Sequence, residues 1–304
     1  MIQKMVLMNK LLLNNQEKES FKNCSDLAKS HYENFTVWSK LIRKDLMPFF
    51  SSIYAFCRVT DDIGDESNKK HENILKSLDE WEKLLLNCYT NKVNHPYFKA
   101  LSITIKRFDI PPDNFIKIID ANRQDQIVKS YKSFQLLEEY CRLSANPVGR
   151  LVLKIMGYNN NEIMRFSDNI CTGLQLLNFC QDISEDLKKG RIYIPEEDMK
   201  YHKVKKIDFK KSFVSNEMRN LIKFEIERTE KYFHEGLKIF HHMKRKDQFP
   251  ISLFLKGGNT IVKEIKRRNF DTLTNKIRIS KISKSKILFT SLLDLYLGRD
   301  MRKL

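Results

Sequence analysis

The chain has 304 residues, of which 41% are hydrophobic and 31% charged, so it holds enough apolar material for a large core and is not disordered throughout. Its nine glycines and seven prolines are few for this length, which favours long helices over a β-sandwich or barrel. The formal net charge is +17, and residues 201–304 hold 26 Lys and Arg against 11 Asp and Glu. This excess fits a solvated lysine-rich surface, or a partner that is an anionic membrane, a nucleic acid or a phosphorylated substrate.

The cysteines and the apolar segments indicate the compartment. The six cysteines are scattered without a CxxC pair, which predicts reduced thiols in a cytosolic protein. No stretch reaches the roughly 18 consecutive apolar residues of a membrane span. The short apolar patch at residues 11–13 runs into Asn-Asn-Gln and is no secretory signal. We therefore expect a cytoplasmic protein.

Apolar residues recur every three or four positions, which predicts helix after helix and almost no strand. Pro48 and Pro96 stand where helices begin, since proline is tolerated in the first turn, and Pro147 interrupts a later helix. The predicted helices span residues 47–65, 72–90, 95–108, 111–130, 135–157, 160–188, 215–245, 250–270 and 284 onward. The lysine-rich residues 200–214 are predicted to form a loop. Without a repeat or a Gly/Ser linker, the chain is predicted to be one all-α domain over residues 26–304, after an N-terminal extension over residues 1–25.

Two acidic clusters point to chemistry. The first is DDIGDE at residues 61–66, in which Asp61 and Asp65 are four positions apart. In a helix this spacing places both carboxylates on one face, where like charges repel each other. Taken alone, the cluster also fits a helix end exposed to water.

The second cluster is QDISED at residues 181–186. Asp182 and Asp186 repeat the spacing, and Asn178 stands one turn earlier, so the three side chains form a polar stripe on an otherwise apolar helix. Such a stripe is costly to bury unless a cation neutralises it. Mg²⁺ fits, because it takes hard oxygen ligands and is shared between carboxylates and substrate phosphates. Two facing acidic helices would hold two or three Mg²⁺ ions around a diphosphate.

An arginine flanks each cluster. Arg58 lies one turn before the first, and Arg191 follows the second in GRIYIP at residues 190–195. Arginine suits bidentate capture of phosphate, and a salt bridge to a carboxylate is the alternative for each one. Two carboxylate pairs with two arginines favour the diphosphate site.

These motifs resemble a known family. Residues 54–66, YAFCRVTDDIGDE, resemble the first aspartate-rich motif of the squalene/phytoene synthase family, and residues 174–186, LQLLNFCQDISED, with GRIYIP, resemble the second. The similarity extends over residues 28–300, nearly the whole chain. It implies the isoprenoid synthase fold, a single-domain helical bundle with a central apolar channel and Mg²⁺-diphosphate chemistry at the mouth of that channel.

The resemblance implies a role for each matching residue. The implied Mg²⁺ ligands are Asp61, Asp65, Asn178 and Asp182, supported by Glu185 and Asp186. The implied diphosphate contacts are Arg58, Arg191, Tyr193 and Lys276, of which the last also fits a solvated lysine. Tyr54 and Phe35 are expected beside the reacting carbons, with plain core packing as the alternative. Asp125 either completes the polar rim or is a solvated carboxylate.

Further stretches narrow the resemblance. Residues 31–37, 122–126 and 140–150 are similar to the subgroup of bacterial hopanoid pathways, which converts presqualene diphosphate to hydroxysqualene. Where condensing members carry a YCxxVAGTVG-like stretch, this chain has Arg142 and Asn146-Pro147. These departures favour hydroxysqualene formation. The alternative is head-to-head condensation of two farnesyl or geranylgeranyl diphosphates to presqualene diphosphate, squalene, dehydrosqualene or phytoene.

The expected cofactor is Mg²⁺ alone. The implied reaction needs no hydride donor and no GxGxxG fingerprint is present, so no NADPH is expected. A non-catalytic assembly factor of the same family is a remote alternative, because such members have usually lost the acidic motifs. The charge lacks a nucleic-acid-binding motif, so no nucleic acid partner is expected. We expect a prenyl diphosphate substrate, a peripheral contact of residues 201–304 with the inner membrane face, and a downstream hydroxysqualene oxidoreductase.

Overall fold

Residues 13–31, 45–66, 70–90, 93–274, 277, 280–297 and 300 are described by a computed structural model. Within these ranges the α-helices are α1 Asn15–His31, α2 Met47–Gly64, α3 His71–Thr90, α4 Pro96–Phe108, α5 Asp113–Ile127, α6 Phe134–Ser144, α7 Asn146–Met156, α8 Asn161–Gln181, α9 Ile183–Lys188, α10 Glu196–Tyr201, α11 Asn216–Gly236, α12 Arg245–Arg267 and α13 Lys281–Tyr296. Two 3₁₀ turns cover Lys206–Lys210 and Leu237–His241. The prediction of an all-α chain is confirmed.

Two hydrophobic cores divide the helices. The N-terminal core lies among α1–α5 and α7 and buries large side chains such as Phe56 and Phe115. The C-terminal core lies among α8, α11 and α12 and buries Leu177, Ile226 and Leu255. A smaller aromatic cluster, built mainly on α5, α6 and α8, lies where α6 contacts both α5 and α8. The two acidic motifs belong to different cores, and the aromatic cluster is packed between helices of both.

The structure changes several predicted helix limits. The predicted helix over residues 160–188 is broken at Asp182, where the backbone leaves helical geometry, and the helix predicted to run to residue 245 ends at Gly236. The start predicted at Pro250 is wrong, because α12 begins at Arg245 and carries this proline inside the helix. The predicted interruption at Pro147 is confirmed, since α6 and α7 are separated at Ala145. Residues 200–214 form a connection that contains the end of α10 and one 3₁₀ turn.

Helix α1 was not predicted, and it crosses the predicted boundary at residue 26. Asn14 caps its start: the Asn14 backbone N–H donates to Glu17 Oε2 (2.8 Å), while the Asn14 side chain accepts from the Glu17 N–H (2.9 Å). This reciprocal capping satisfies backbone donors that the first helical turn leaves unpaired. Phe21 and Cys24 are buried in the N-terminal core, so α1 packs as part of the bundle.

One isolated parallel bridge joins Ser130 to Ile192. The six cysteines carry free thiols, four of them buried. None of the helices in the described ranges is long and apolar enough to cross a membrane.

Candidate active site

The first acidic cluster lies at the C-terminal end of α2. The Asp65 N–H donates to the Asp61 carbonyl at 2.9 Å, so the two residues keep the predicted helical spacing. Helix α5 approaches this end closely, and Asn122 donates from Nδ2 to Asp61 Oδ1 at 3.3 Å. A Cβ atom on Gly64 would lie 2.1 Å from Asn122 Oδ1, so only glycine permits this approach without moving the asparagine.

The second acidic cluster surrounds the break between α8 and α9. Asp182 ends α8, and its carbonyl accepts from the Asp186 N–H at 3.0 Å, so Asp186 stays one turn beyond it. Asn178 is exposed, and Asp182, Glu185 and Asp186 are partly exposed. The predicted polar stripe therefore exists, although it bends at Asp182 and is not carried by one straight helix.

Two cationic side chains connect the clusters. Lys189 Nζ lies 2.8 Å from Asp65 Oδ2. The buried Arg191 places Nη1 3.5 Å from Asp65 Oδ1 and 3.4 Å from Asp125 Oδ2. The structure therefore brings Asp65, Asp125 and Arg191 together. Sequence reasoning missed Lys189 and Asn122. The position of Lys189, between the second cluster and GRIYIP, could have indicated that this lysine belongs to the site. Asn122 was included only in the family-like stretch 122–126.

Asp125 is buried at the centre of this site, and the alternative of a solvated carboxylate is wrong. Tyr140 and Tyr193 each donate a hydroxyl hydrogen bond to it at 2.9 Å. Tyr193 also stacks on Phe179, with ring centroids 4.1 Å apart. Burial raises the pKa of Asp125, and the Arg191 charge opposes that rise. The hydroxyl of Tyr193, expected to contact diphosphate, is thus engaged by Asp125.

The remaining predicted residues have the following positions. Arg58 pairs with Asp62 one turn further along α2, which is the salt-bridge alternative stated for it. The Nε atoms of Arg58 and Arg191 are buried without a hydrogen-bond partner among the described residues. Tyr54, one turn before Arg58, is half-buried. Phe35 and Lys276 lie outside the described residues, and the apolar channel stays a prediction.

The site concentrates negative charge. Burial by the surrounding protein, with the nearby Asp65 charge, raises the pKa of Asp61 to about 6, against the hydrogen bond from Asn122. The Asp61 side chain is nevertheless accessible to solvent. Burial and the neighbouring Asp182 raise the pKa of Asp186 to about 7. A bound cation would favour the charged form of both carboxylates and so oppose both rises in pKa.

The donor set fits Mg²⁺. Among the described residues no three acidic, histidine or cysteine side chains converge closely enough to form a complete cation site. The carboxylates stand instead in smaller groups on the two sides of the site, Asp61 with Asp65 and Asp182 with Asp186. Mg²⁺ is commonly held by one or two carboxylates plus substrate phosphates, so these groups suit ions shared with a diphosphate.

Comparison with known proteins identifies first the class and then the family. The fold and the facing acidic motifs define an all-α isoprenoid synthase. A family model described as squalene/phytoene synthase matches residues 28–283, so the chain belongs to that family. Its structure is similar to squalene synthase HpnC from Alicyclobacillus acidocaldarius, with a TM-score of 0.80 and 36% identity over 85% of this chain and 97% of that one.

Two other relatives are more distant. A dehydrosqualene synthase in complex with a ligand has a TM-score of 0.83 at 23% identity, over 93% of this chain and 98% of that one, which supports the fold. Phytoene synthase 1 of Zea mays is 27% identical over 87% of this chain. The match spans 66% of that maize protein's length. The predicted family and fold class are confirmed.

Proposed function

We propose that the protein converts presqualene diphosphate and water into hydroxysqualene and diphosphate. The observation that carries this proposal is the 36% identity to squalene synthase HpnC along nearly the whole of that chain, against 27% to maize phytoene synthase 1. The departures at Arg142 and Asn146-Pro147 support the same choice. The intact acidic motifs support an enzyme over an assembly factor.

In the proposed reaction the bond between the cyclopropylcarbinyl carbon and the diphosphate oxygen breaks, and the electron pair leaves with diphosphate. The cyclopropane opens, a water oxygen bonds to the resulting cation, and one proton is released. Mg²⁺, when bound by Asp61, Asp65, Asn178 and Asp182, with Glu185 and Asp186 in support, supplies a Lewis acid for the leaving group.

Three cationic side chains support the binding of the diphosphate. Arg58 and Arg191 each hold a buried Nε–H that no described residue accepts, and a diphosphate oxygen is a suitable acceptor. Lys189 adds a third positive charge beside Asp65. Asp125 orients Arg191 and Tyr193 through the contacts described above, so these side chains are fixed before substrate enters. We propose that Tyr54 contacts the reacting carbons, a role that the resemblance implies for Phe35 as well.

Head-to-head condensation of two prenyl diphosphates is the second candidate. The curated relatives of this chain that carry a chloroplastic phytoene synthase name favour it, among them the proteins of Zea mays and Daucus carota. Both reactions remove diphosphate and use the same acidic motifs. Product identity therefore decides between them.

The test is product analysis by mass spectrometry with purified protein and Mg²⁺, without NADPH. One reaction receives presqualene diphosphate, a second farnesyl diphosphate and a third geranylgeranyl diphosphate. We expect hydroxysqualene from the first and no C30 or C40 product from the others. Presqualene diphosphate, a C30 hydrocarbon or phytoene from the second or third would establish condensation instead.

Matched variants show whether the product comes from this site. Asp61→Asn and Asp182→Asn remove one charge from each acidic motif and are expected to reduce turnover at least about 100-fold, a loss typical of removing a charge-stabilising group. Asp113→Asn, at the exposed start of α5, is the control and is expected to keep full activity. Equal activity in all three variants would contradict the placement of the site.

A further inference from the structure

The stretch from residue 200 to residue 213 exposes apolar and basic side chains together. Three large apolar side chains stand out from it, Tyr201, Ile207 and Phe213, which are 78%, 61% and 61% exposed. The same stretch contains six lysines and a single acid, Asp208. We call residues 200–213 the lysine–apolar surface. We propose that this surface binds the headgroup layer of a bilayer that contains anionic lipid.

The exposure of these side chains is fixed by the fold. Val204 and Phe209 are buried in the C-terminal core, and the Val204 N–H donates to the Met199 carbonyl at 2.8 Å. Ile207 lies between the two buried anchors, in the 3₁₀ turn Lys206–Lys210. Because the anchors hold both ends of this short segment inward, the isoleucine is directed outward. Its exposure therefore belongs to the packed structure.

Most of the positive charge of this surface faces solvent. Lys206 pairs with Glu196 at 2.7 Å, and Lys211 pairs with Asp208 at 2.6 Å. The other four lysines are exposed and form no salt bridge within the described part of the chain: Lys200, Lys203, Lys205 and Lys210. Each lysine near an anionic leaflet strengthens binding to the membrane by about five-fold. Apolar and aromatic side chains add to this by inserting at the boundary between headgroups and acyl chains.

The apolar members favour lipid over another polyanion. Single exposed apolar residues are ordinary, but three within one short basic stretch concentrate exposed apolar area where the lysines are dense. A nucleic acid would attract the lysines and stack on Tyr201 or Phe213, whereas Ile207 has no aromatic face for a base. A bilayer uses all three side chains. The inference deepens the proposed function. It rests on that function only for the reason why the protein would bind a membrane, namely access to an apolar substrate.

The test is co-sedimentation of the full chain with vesicles, without substrate, so that its outcome is independent of catalysis. We expect strong binding to phosphatidylcholine vesicles containing 30% phosphatidylglycerol, about that of a typical anionic membrane, and weak binding to pure phosphatidylcholine. Ile207→Ser with Phe213→Ser keeps every charge and is expected to reduce partitioning at least about 10-fold. The triple change Lys203→Gln, Lys205→Gln and Lys210→Gln is expected to do the same while keeping the apolar residues.

Matched controls come from surfaces elsewhere on the molecule. Leu86→Ser with Phe289→Ser alters two apolar side chains that are 42% and 66% exposed. Lys18→Gln, Lys76→Gln and Lys83→Gln remove three exposed lysines from α1 and α3. Both control proteins are expected to bind the anionic vesicles as the unchanged chain does.

Three results would overturn the proposal: equal binding by the two surface variants and the two controls, no preference for the anionic vesicles, or binding to a DNA oligonucleotide with no vesicle binding at all. Turnover of detergent-dispersed presqualene diphosphate is measured on the same proteins. We expect it to be unchanged by the surface variants, because none of the altered residues belongs to the candidate active site. Failure of the proposed function would appear in that second measurement alone.

Discussion

Glu225 of α11 is a buried carboxylate beside Arg228, which is partly buried. Arg228 donates from Nη1 to Asp198 Oδ2 at 2.8 Å and to Glu225 Oε2 at 2.7 Å. Its guanidinium carbon also lies 4.0 Å from the centroid of the Phe134 ring. One arginine thus serves two carboxylates, and burial raises the pKa of Glu225 to about 8, against the charge of Arg228. This cluster ties α10, which directly follows the Arg191–Tyr193 segment, to α11.

The raised pKa of Glu225 predicts how stability changes with pH. Between the ordinary glutamate value of 4.5 and about 8 the folded chain holds a proton that the unfolded chain has released. The free energy of unfolding therefore falls as pH rises through this window, by up to about 1.4 kcal/mol per pH unit from this one group. Glu225→Gln lacks this contribution, so its unfolding free energy is expected to fall less steeply.

Urea unfolding of both proteins at pH 5, 6, 7 and 8 measures the two slopes. Glu227→Gln, an exposed change on the same helix, serves as the control and is expected to follow the unchanged chain. Parallel curves for the Glu225→Gln protein and the unchanged chain would contradict the assigned titration.

Single residues also show how far sequence reasoning reached. Asp61 with Asp65, and Asp182 with Asp186, were predicted because helical spacing alone places each pair on one face. Asn122 and Lys189 were not predicted to belong to the site. Asn122 contacts Asp61, which lies 61 positions away in the chain, and Lys189 contacts Asp65, which lies 124 positions away. No local pattern encodes such a contact. The engagement of Asp125 by two tyrosines is of the same kind.

At the scale of helices, the approach of α2 to α5 depends on Gly64. The Gln126 side chain donates from Nε2 to the Gly64 carbonyl at 2.9 Å, which joins the two helices beside the first acidic cluster. The Asn122 carboxamide occupies the space in which a side chain at position 64 would begin. The glycine thus lets one helix position an amide on a carboxylate of the other.

Gly64→Ala is therefore expected to displace Asn122 from Asp61. Overpacking of this size costs about 1–3 kcal/mol, and loss of the hydrogen bond lowers turnover as well. Asn122→Ala alone removes the same hydrogen bond, and adding it to Gly64→Ala removes the clash with the carboxamide, leaving the two Cβ atoms 3.2 Å apart. Because the two residues are in contact, the double variant is expected to lose less stability than the two single variants together. Its activity is expected to stay low, since the hydrogen bond to Asp61 is still missing.

Urea unfolding and turnover are measured on both single variants and the double variant. Additive losses of stability would show that the alanine at position 64 does not meet Asn122. Full turnover in the Asn122→Ala protein would remove Asn122 from the site.

The helix limits show why some elements could not be read from the sequence. The break at Asp182 follows from a residue type that competes with the helical backbone, but the apolar rhythm continues through it and hides it. Helix α1 carries a capping pair, Asn14 and Glu17, that a search for helix starts could have found. The limits of α2, α3 and α4, in contrast, were predicted within one residue, because their apolar stripes face the N-terminal core.

At the scale of the whole molecule, the candidate site lies between the two hydrophobic cores. Asp61 and Asp65 extend from a helix of the N-terminal core, and Asp182 and Asp186 stand at the end of a helix of the C-terminal core. A ligand that contacts both motifs therefore couples the two halves of the fold. Binding to the folded state alone stabilises that state, by about 2.7 kcal/mol at a ligand concentration 100 times the dissociation constant.

Inorganic diphosphate with Mg²⁺ is accordingly expected to raise the melting temperature by several degrees in a thermal unfolding assay. Neither component alone is expected to reach the same shift, because each leaves one set of charges unmatched. Asp61→Asn and Asp182→Asn are expected to abolish most of the increase, whereas the Asp113→Asn control keeps it. An increase from diphosphate alone that equals the combined one would contradict the role assigned to the acidic motifs.

The contacts of Asp65 have a consequence for how charge moves when substrate enters. Lys189 and Arg191 already neutralise this carboxylate within the chain. A diphosphate that arrives with its cations offers those two side chains a new anion and offers Asp65 a new cation in the same event. Binding is then an exchange of counter-ions at nearly constant local charge. Asp65 exchanges the lysine and the arginine for the arriving cations, and these two side chains exchange the carboxylate for the diphosphate. Such an exchange is reversible at low cost, which suits a site that must release diphosphate after every turnover.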